Sequence, residues 1–345
     1  MMSTLTESKN ETGIPDCYFL PQPEFFLVEK ERHTTNLATA GINLIFVPIA
    51  IITNLLIILA VSKNYLLQSP SNVLISCLAF SDLLVGLIVQ PCFITFRIME
   101  NISLFVPCSF RVVYSESFWV CYGVSFMMLS AISFERYIAL RLHLRYKNVV
   151  TTRCILRATT IVWAMDIALT AFQWLWMDYK YVRVIQITLF LLCIVVTLFA
   201  HFKIFRIMMR HQKQIQAHET KESRSYQKQT KLAINVTYIV GFYLLCNMPV
   251  LIVQLCQYAM EVELASLNVY SWVETIAFYN SSLNPLVCCW RNRDIRRGII
   301  RMIRRMDCKQ DTRKRSKSSA YSIPNGSVNS RGDEPRNAAG TEENT

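Results

Sequence analysis

The chain has 345 residues, of which 52% are hydrophobic and only 17% charged, where a soluble domain carries roughly 25% charged residues. That deficit excludes an ordinary water-soluble fold of this length and points to lipid as the solvent. The formal net charge is +12, but the basic residues flank long apolar runs, which fits membrane topology better than nucleic-acid binding.

Residues 1–37 form a polar N-terminal tail. No apolar segment precedes residue 38, so no cleavable signal peptide is expected. A helix that crosses the hydrocarbon needs about 20 apolar residues. Seven stretches qualify: roughly 38–62, 71–97, 112–140, 153–176, 184–210, 230–259 and 267–290. Lipid offers no partner for an unpaired backbone amide, so each is expected to be a helix. The predicted fold is an all-α integral membrane protein, a seven-helix bundle over 38–290.

With the N-terminus outside, the outer segments hold seven basic residues: Lys9, Lys30, Arg32, Arg97, Arg111, Lys180 and Arg183. The other 29 of 36 fall inside, a positive-inside bias that orients the chain with its C-terminus in the cytoplasm. That orientation makes Asn10-Glu11-Thr12 a glycosylation sequon in an exposed tail, with Asn101-Ile102-Ser103 a second one close to the membrane. Cys17 and Cys108 are the pair predicted outside: either a disulfide joins them or they are free thiols. The twelve cysteines show no metal-ligand spacing.

After the last span, "RNRDIRRGIIRMIRRMDC" (291–308) sets Ile295, Ile299, Ile300 and Ile303 at helical spacing among arginines. It reads as an amphipathic eighth helix on the inner membrane face. Cys308 at its end is a palmitoylation candidate or a plain thiol. Residues 309–345 are expected to be a disordered cytoplasmic tail. Serines within 313–322 stand beside basic residues; they suit kinases and, once phosphorylated, arrestin. The same strip also suits anionic lipid.

The third span ends in "SFERY", with Glu135, Arg136 and Tyr137. An unpaired arginine at that depth is costly, and the neighbouring acid offsets it. An arginine able to exchange partners makes a switch. This stretch resembles the Glu/Asp-Arg-Tyr motif of rhodopsin-like (class A) G-protein-coupled receptors. Further landmarks follow in that family's order: Asn54, Asp82 in "LAFSDLL", Trp163, "CNMP" (246–249) and "NPLVC" (284–288). The resemblance spans residues 38–308.

The resemblance implies a receptor that binds an extracellular small-molecule, lipid or peptide ligand and activates a heterotrimeric G protein. Alternatives from residues that depart from the family are a decoy or a constitutively active receptor; a transporter is further removed, because the seven spans show no repeated halves. No nucleophile elbow, phosphate loop or metal spacing suggests an enzyme, and no cofactor is expected. In the family, positions matching Asp82, Ser125, Asn280, Ser281 and Asn284 surround an allosteric sodium ion, and Asn247 would enlarge that polar pocket; the alternative is a hydrogen-bond network around a protonated Asp82. Pro249 and Pro285 are expected to kink their helices.

The departures carry information as well. Asn247 replaces the sixth-helix tryptophan, Cys288 the seventh-helix tyrosine, and His201 a fifth-helix tyrosine. Gln229 stands where many members place an acid that pairs with Arg136, which predicts appreciable ligand-free signalling. The loop "MDYKYV" (177–182) is short and lacks cysteine. Such loops occur in melanocortin, cannabinoid and lysophospholipid receptors, whereas 201–214 and 228–233 are similar to adenosine receptors. Phe118 occupies the site where amine receptors carry an aspartate. Phe118, Trp119, Tyr122, Asn247 and Glu274 are the ligand-pocket candidates. Glu274 meets either a cationic ligand or an ion-pair partner, Arg97 or Arg111; Glu116 and Asp166 share that ambiguity. Phe278 holds the position where a retinal receptor needs lysine.

Overall fold

The computed structural model describes Cys17 and residues 30–103, 106–142, 145–175, 179–215, 221–259 and 264–304. The chain divides into two compact units, Met1–Ile300 and Arg301–Thr345. Of the second, 301–304 are helical.

The first unit is built from seven long helices. The first is Lys30–Lys63, and the second runs from Pro70–Leu84 through a π-helical turn at Val85–Val89 into Gln90–Ser103. The third to seventh are Cys108–Leu142, Thr152–Leu175, Tyr179–Ile215, Lys221–Ala259 and Leu264–Arg291. The first six are long and apolar enough to cross a membrane. The seventh is of comparable length but carries Ser271, Glu274, Thr275, Asn280, Ser281, Ser282 and Asn284, all buried. Its polar face is turned into the bundle and away from lipid, so its composition understates its fit to the membrane.

Local chemistry sets the helix ends. Ser69 accepts the Asn72 amide at 3.4 Å and Pro70 takes the first helical position, whose amide would be unpaired in any case. Asn64 caps the 3-10 turn Tyr65–Leu67 that links the first two helices. Asn292 breaks the seventh helix and accepts the amides of Asp294 and Ile295, starting a helix over 293–304. In that helix Ile295 and Ile299 are buried, while Ile300 and Ile303 are exposed beside arginines.

Of the six apolar spans, the third is the most buried and the fourth the least. The third therefore forms the axis, with Val124, Phe126, Met128 and Leu129 in the apolar core. Leucines such as Leu44, Leu192, Leu198 and Leu245 stand exposed on the outside, as a lipid-facing surface requires. At Gly123 the third helix meets Asp166 of the fourth: a Cβ there would overlap the Asp166 carboxylate.

Two expectations shift. The first helix begins at Lys30, eight residues before the apolar run, and the second continues through Arg97 to Ser103. Arg32, Arg97 and Arg111 therefore lie in helices, and all three are buried. Hydropathy ended those spans early because it cannot see carboxylate partners on other helices.

Candidate functional site

At the end of the bundle that holds Lys63, Glu135 and Arg136 are both buried. Arg136 donates through Nε and Nη2 to the two oxygens of Glu135, at 2.6 and 2.8 Å. Ser71 of the second helix donates to Glu135 Oε1 at 2.9 Å, and Tyr146, on the short helix Tyr146–Val149, donates to the same oxygen. Burial, reinforced by the Glu135 carboxylate, pushes the Tyr146 phenol above its ordinary pKa and keeps it a donor. Tyr137 points elsewhere: its hydroxyl accepts from Arg141 at 3.3 Å and its ring meets Phe134 and Phe199. The Gln229 side chain lies outside the described residues. His201 joins three helices, with Nδ1 at 3.1 Å from Thr237 and Nε2 at 3.2 Å from Ser133.

In the middle of the bundle Asp82 is buried between the second and seventh helices. It accepts from Ser281 Oγ at 2.8 Å and from Asn284 Nδ2 at 3.0 Å. Asn54 ties the first helix to this point through the Ser281 carbonyl. Ser125 pairs with Ser81 at 3.2 Å instead of with Asp82. Asn280 Oδ1 and Asn284 Oδ1 are buried with no hydrogen-bond partner among the described residues. A cavity of about 20 Å³, room for one water-sized sphere, is lined by Ser125, Asn247, Asn280 and Ser281 among others. Asn247 turns its amide nitrogen onto the Tyr243 carbonyl, while Tyr122 donates to the carbonyl of Asn247. Pro285 lies within the seventh helix and Cys288 is buried just beyond it. Pro48, inside the first helix, attracted no attention in the sequence because its neighbours are uniformly apolar.

Toward the opposite end, Phe118 and Tyr122 face that cavity, stacked at 5.5 Å, with Phe278 edge-on to Phe118. Trp119 turns away to the fifth helix, where it stacks on Phe190 and lies under the Arg183 guanidinium at 3.9 Å. Aromatic character alone could not separate these two directions; the one-residue step around the helix does.

Above the aromatic residues lies a charged layer. Both oxygens of Glu274 are engaged, by Tyr114 at 2.7 Å and by Arg97 at 3.3 Å. Of the two cations open in the sequence, Arg97 forms an ion pair with Glu274. Arg97 also bridges to Glu100 at 3.0 Å. Glu100 in turn takes Arg32 through two nitrogens and accepts from Asn36. Arg32 reaches across to Asn268 and Ser271 of the seventh helix. Arg32 and Glu100 escaped sequence reading. The i,i+3 spacing of Arg97 and Glu100 on one helix face was the available signal.

A disulfide joins Cys17 to Cys108 at this same end. The Asn101 amide nitrogen, the atom a glycan would take, donates to the His33 carbonyl at 3.2 Å. Asn10 and Cys308 lie outside the described residues. Among the described residues, no cluster of three or more His, Cys, Asp or Glu side chains is placed to hold a metal ion.

The family described as "7 transmembrane receptor (rhodopsin family)" matches residues 53–287. The chain is similar to adenosine receptor A2b of Rattus norvegicus, at 30% identity over 82% of this chain and 95% of the relative. It is similar to trace amine-associated receptor 5 of Rattus norvegicus at 26% identity, covering 74% of this chain and 82% of the relative. Melanocortin receptor 5 of the same organism also matches at 26% identity, over 74% and 81%. Adenosine and melanocortin receptors were both within the expected neighbourhood; the trace amine receptor was not.

Proposed function

The chain belongs to the rhodopsin family of seven-transmembrane receptors, and on that premise we propose that Arg136 is its coupling switch. As a G-protein-coupled receptor it is a multi-pass membrane protein that binds an extracellular ligand and activates a heterotrimeric G protein. The observation that carries the finer reading is the closed pair of Arg136 and Glu135, held by Ser71 from the second helix and Tyr146 from the short helix after the third. A buried guanidinium with one partner leaves that partner only for another. A ligand that favours a looser arrangement shifts the population toward it. Arg136 is then released to a cavity that the G protein enters, contacted also by the basic ends of the fifth and sixth helices.

The ligand enters from the end marked by Cys17–Cys108, which faces outward from the plasma membrane, and reaches the aromatic layer of Phe118, Tyr122 and Phe278. The tail from 309 onward recruits kinases and arrestin, and 293–304 lies on the inner membrane surface. The central polar residues suit a sodium ion. Asp82 supplies charge, and the unpartnered Asn280 and Asn284 oxygens with the Ser125 and Ser281 hydroxyls supply the hard donors such a cation takes. Asp82, Ser125, Asn280, Ser281 and Asn284 would hold the ion, which would supply positive charge beside the Asp82 carboxylate.

The test is a second-messenger panel in transfected cells. Arg136→Ala at equal surface density abolishes the response while leaving ligand-induced thermal stabilisation of the purified receptor intact. Unchanged signalling by Arg136→Ala refutes the assignment.

A further inference from the structure

Three helices repeat one arrangement. Arg97 lies four residues beyond Phe93 on the second helix, Tyr114 four before Phe118 on the third, and Glu274 four before Phe278 on the seventh. Four residues are about one turn, roughly 6 Å. The polar groups therefore form one layer and the phenylalanines another, one turn deeper in the bundle. Arg97 and Tyr114 both contact Glu274. Phe278 stands edge-on to both Phe93 and Phe118, at 5.3 and 5.9 Å. Any ligand that reaches the ring layer from the Cys17–Cys108 end meets the polar layer on its way.

Four charges in that layer balance: Arg32 and Arg97 against Glu100 and Glu274, all four nearly inaccessible to water. Opening the Arg97–Glu274 contact strands both charges in a low-dielectric interior unless each finds a replacement. An ammonium alone satisfies Glu274 and leaves two guanidinium groups sharing Glu100. A carboxylate alone satisfies Arg97 and leaves Glu274 uncovered. A head group bearing both charges replaces the contact without a net change. Arg97 has a further site to offer, since its Nε is buried with no hydrogen-bond partner among the described residues.

We infer that this receptor takes a zwitterionic ligand with an aromatic ring, an aromatic α-amino acid head, whose carboxylate lies on Arg97, whose ammonium lies on Glu274 and whose ring replaces the contacts that Phe93, Phe118 and Phe278 now make with one another. The inference rests on the reading that the ligand enters at this end of the bundle. A single methylene between head and ring is enough to reach from one layer to the next.

The experiment measures thermal denaturation of the full-length detergent-solubilised receptor with L-phenylalanine, 2-phenylethylamine, which lacks the carboxylate, and 3-phenylpropionate, which lacks the ammonium. Wild type responds to phenylalanine at concentrations at least tenfold below those of the other two. Glu274→Gln leaves excess positive charge and moves the preference to phenylpropionate; Arg97→Gln moves it to phenylethylamine. The double variant Arg97→Gln/Glu274→Gln keeps the layer neutral and favours the uncharged N-acetylphenylalanine amide, which guards against a single variant that fails to fold. No shift with phenylalanine, an equal wild-type response to a singly charged probe, or preferences that stay put in the variants overturns the inference. The assay contains no G protein, so its outcome is independent of Arg136 coupling, which the signalling of Arg136→Ala decides separately.

Discussion

Tyr146 donates its hydroxyl to Oε1 of Glu135, the same carboxylate oxygen that accepts Arg136 Nη2. The switch is therefore held from outside the third helix, by a residue that follows it by ten positions in the chain after Arg136. Hydrogen bonds to charged groups contribute about 1.5–3 kcal/mol. Tyr146→Phe is expected to weaken the Arg136 pair, raise basal second messenger several-fold and lower the melting temperature. Basal output indistinguishable from wild type at matched expression would show that Tyr146 does not hold the switch.

Gly123 leaves space that the Asp166 carboxylate fills. Gly123→Ala is expected to destabilise the receptor by about 1–3 kcal/mol, the cost of overpacking. Asp166→Ala removes the overlapping atoms, so the double variant should recover most of that loss. A double-mutant cycle in thermal denaturation checks this, and simple additivity of the two losses would contradict it.

The Cys17–Cys108 bond closes a loop with a sequence separation of 91. Loss of such a bond typically costs about 2–4 kcal/mol. Cys17→Ser and Cys108→Ser should each lower surface expression and melting temperature by the same amount, and together no further. A double variant markedly worse than either single one would mean that the thiols act independently.

Asp82 supplies the only carboxylate among the polar residues proposed to surround sodium. Wild-type receptor should melt at a higher temperature in sodium chloride than in choline chloride of equal ionic strength, and Asp82→Asn should erase the difference. Equal sodium dependence in both proteins argues against an ion at this place.

What could be read from the chain follows from where the decisive information sits. Apolar runs marked the spans because lipid contact is a local property of each residue. Asp82, Ser281 and Asn284 were grouped by resemblance, and they lie within hydrogen-bonding distance. The limits come from partnership between distant segments. Arg32 looked like a tail residue until Glu100, 68 positions away, took its charge. Trp119 and Phe118 are adjacent and equally aromatic, but they face different helices. None of these choices has a signature within a few residues of sequence.

The π-helical turn at Val85–Val89 sits between Asp82 and Arg97 on one continuous helix. Such a turn accommodates one extra residue, and each residue of an α-helix turns the chain by roughly 100°. Everything beyond it is clocked by that angle. Shortening the segment by one residue would swing the Arg97 guanidinium out toward hydrocarbon and leave Glu274 facing an empty place, while Asp82 stayed where it is. A single inserted peptide unit thus decides whether the outer half of this helix speaks to the interior or to the bilayer.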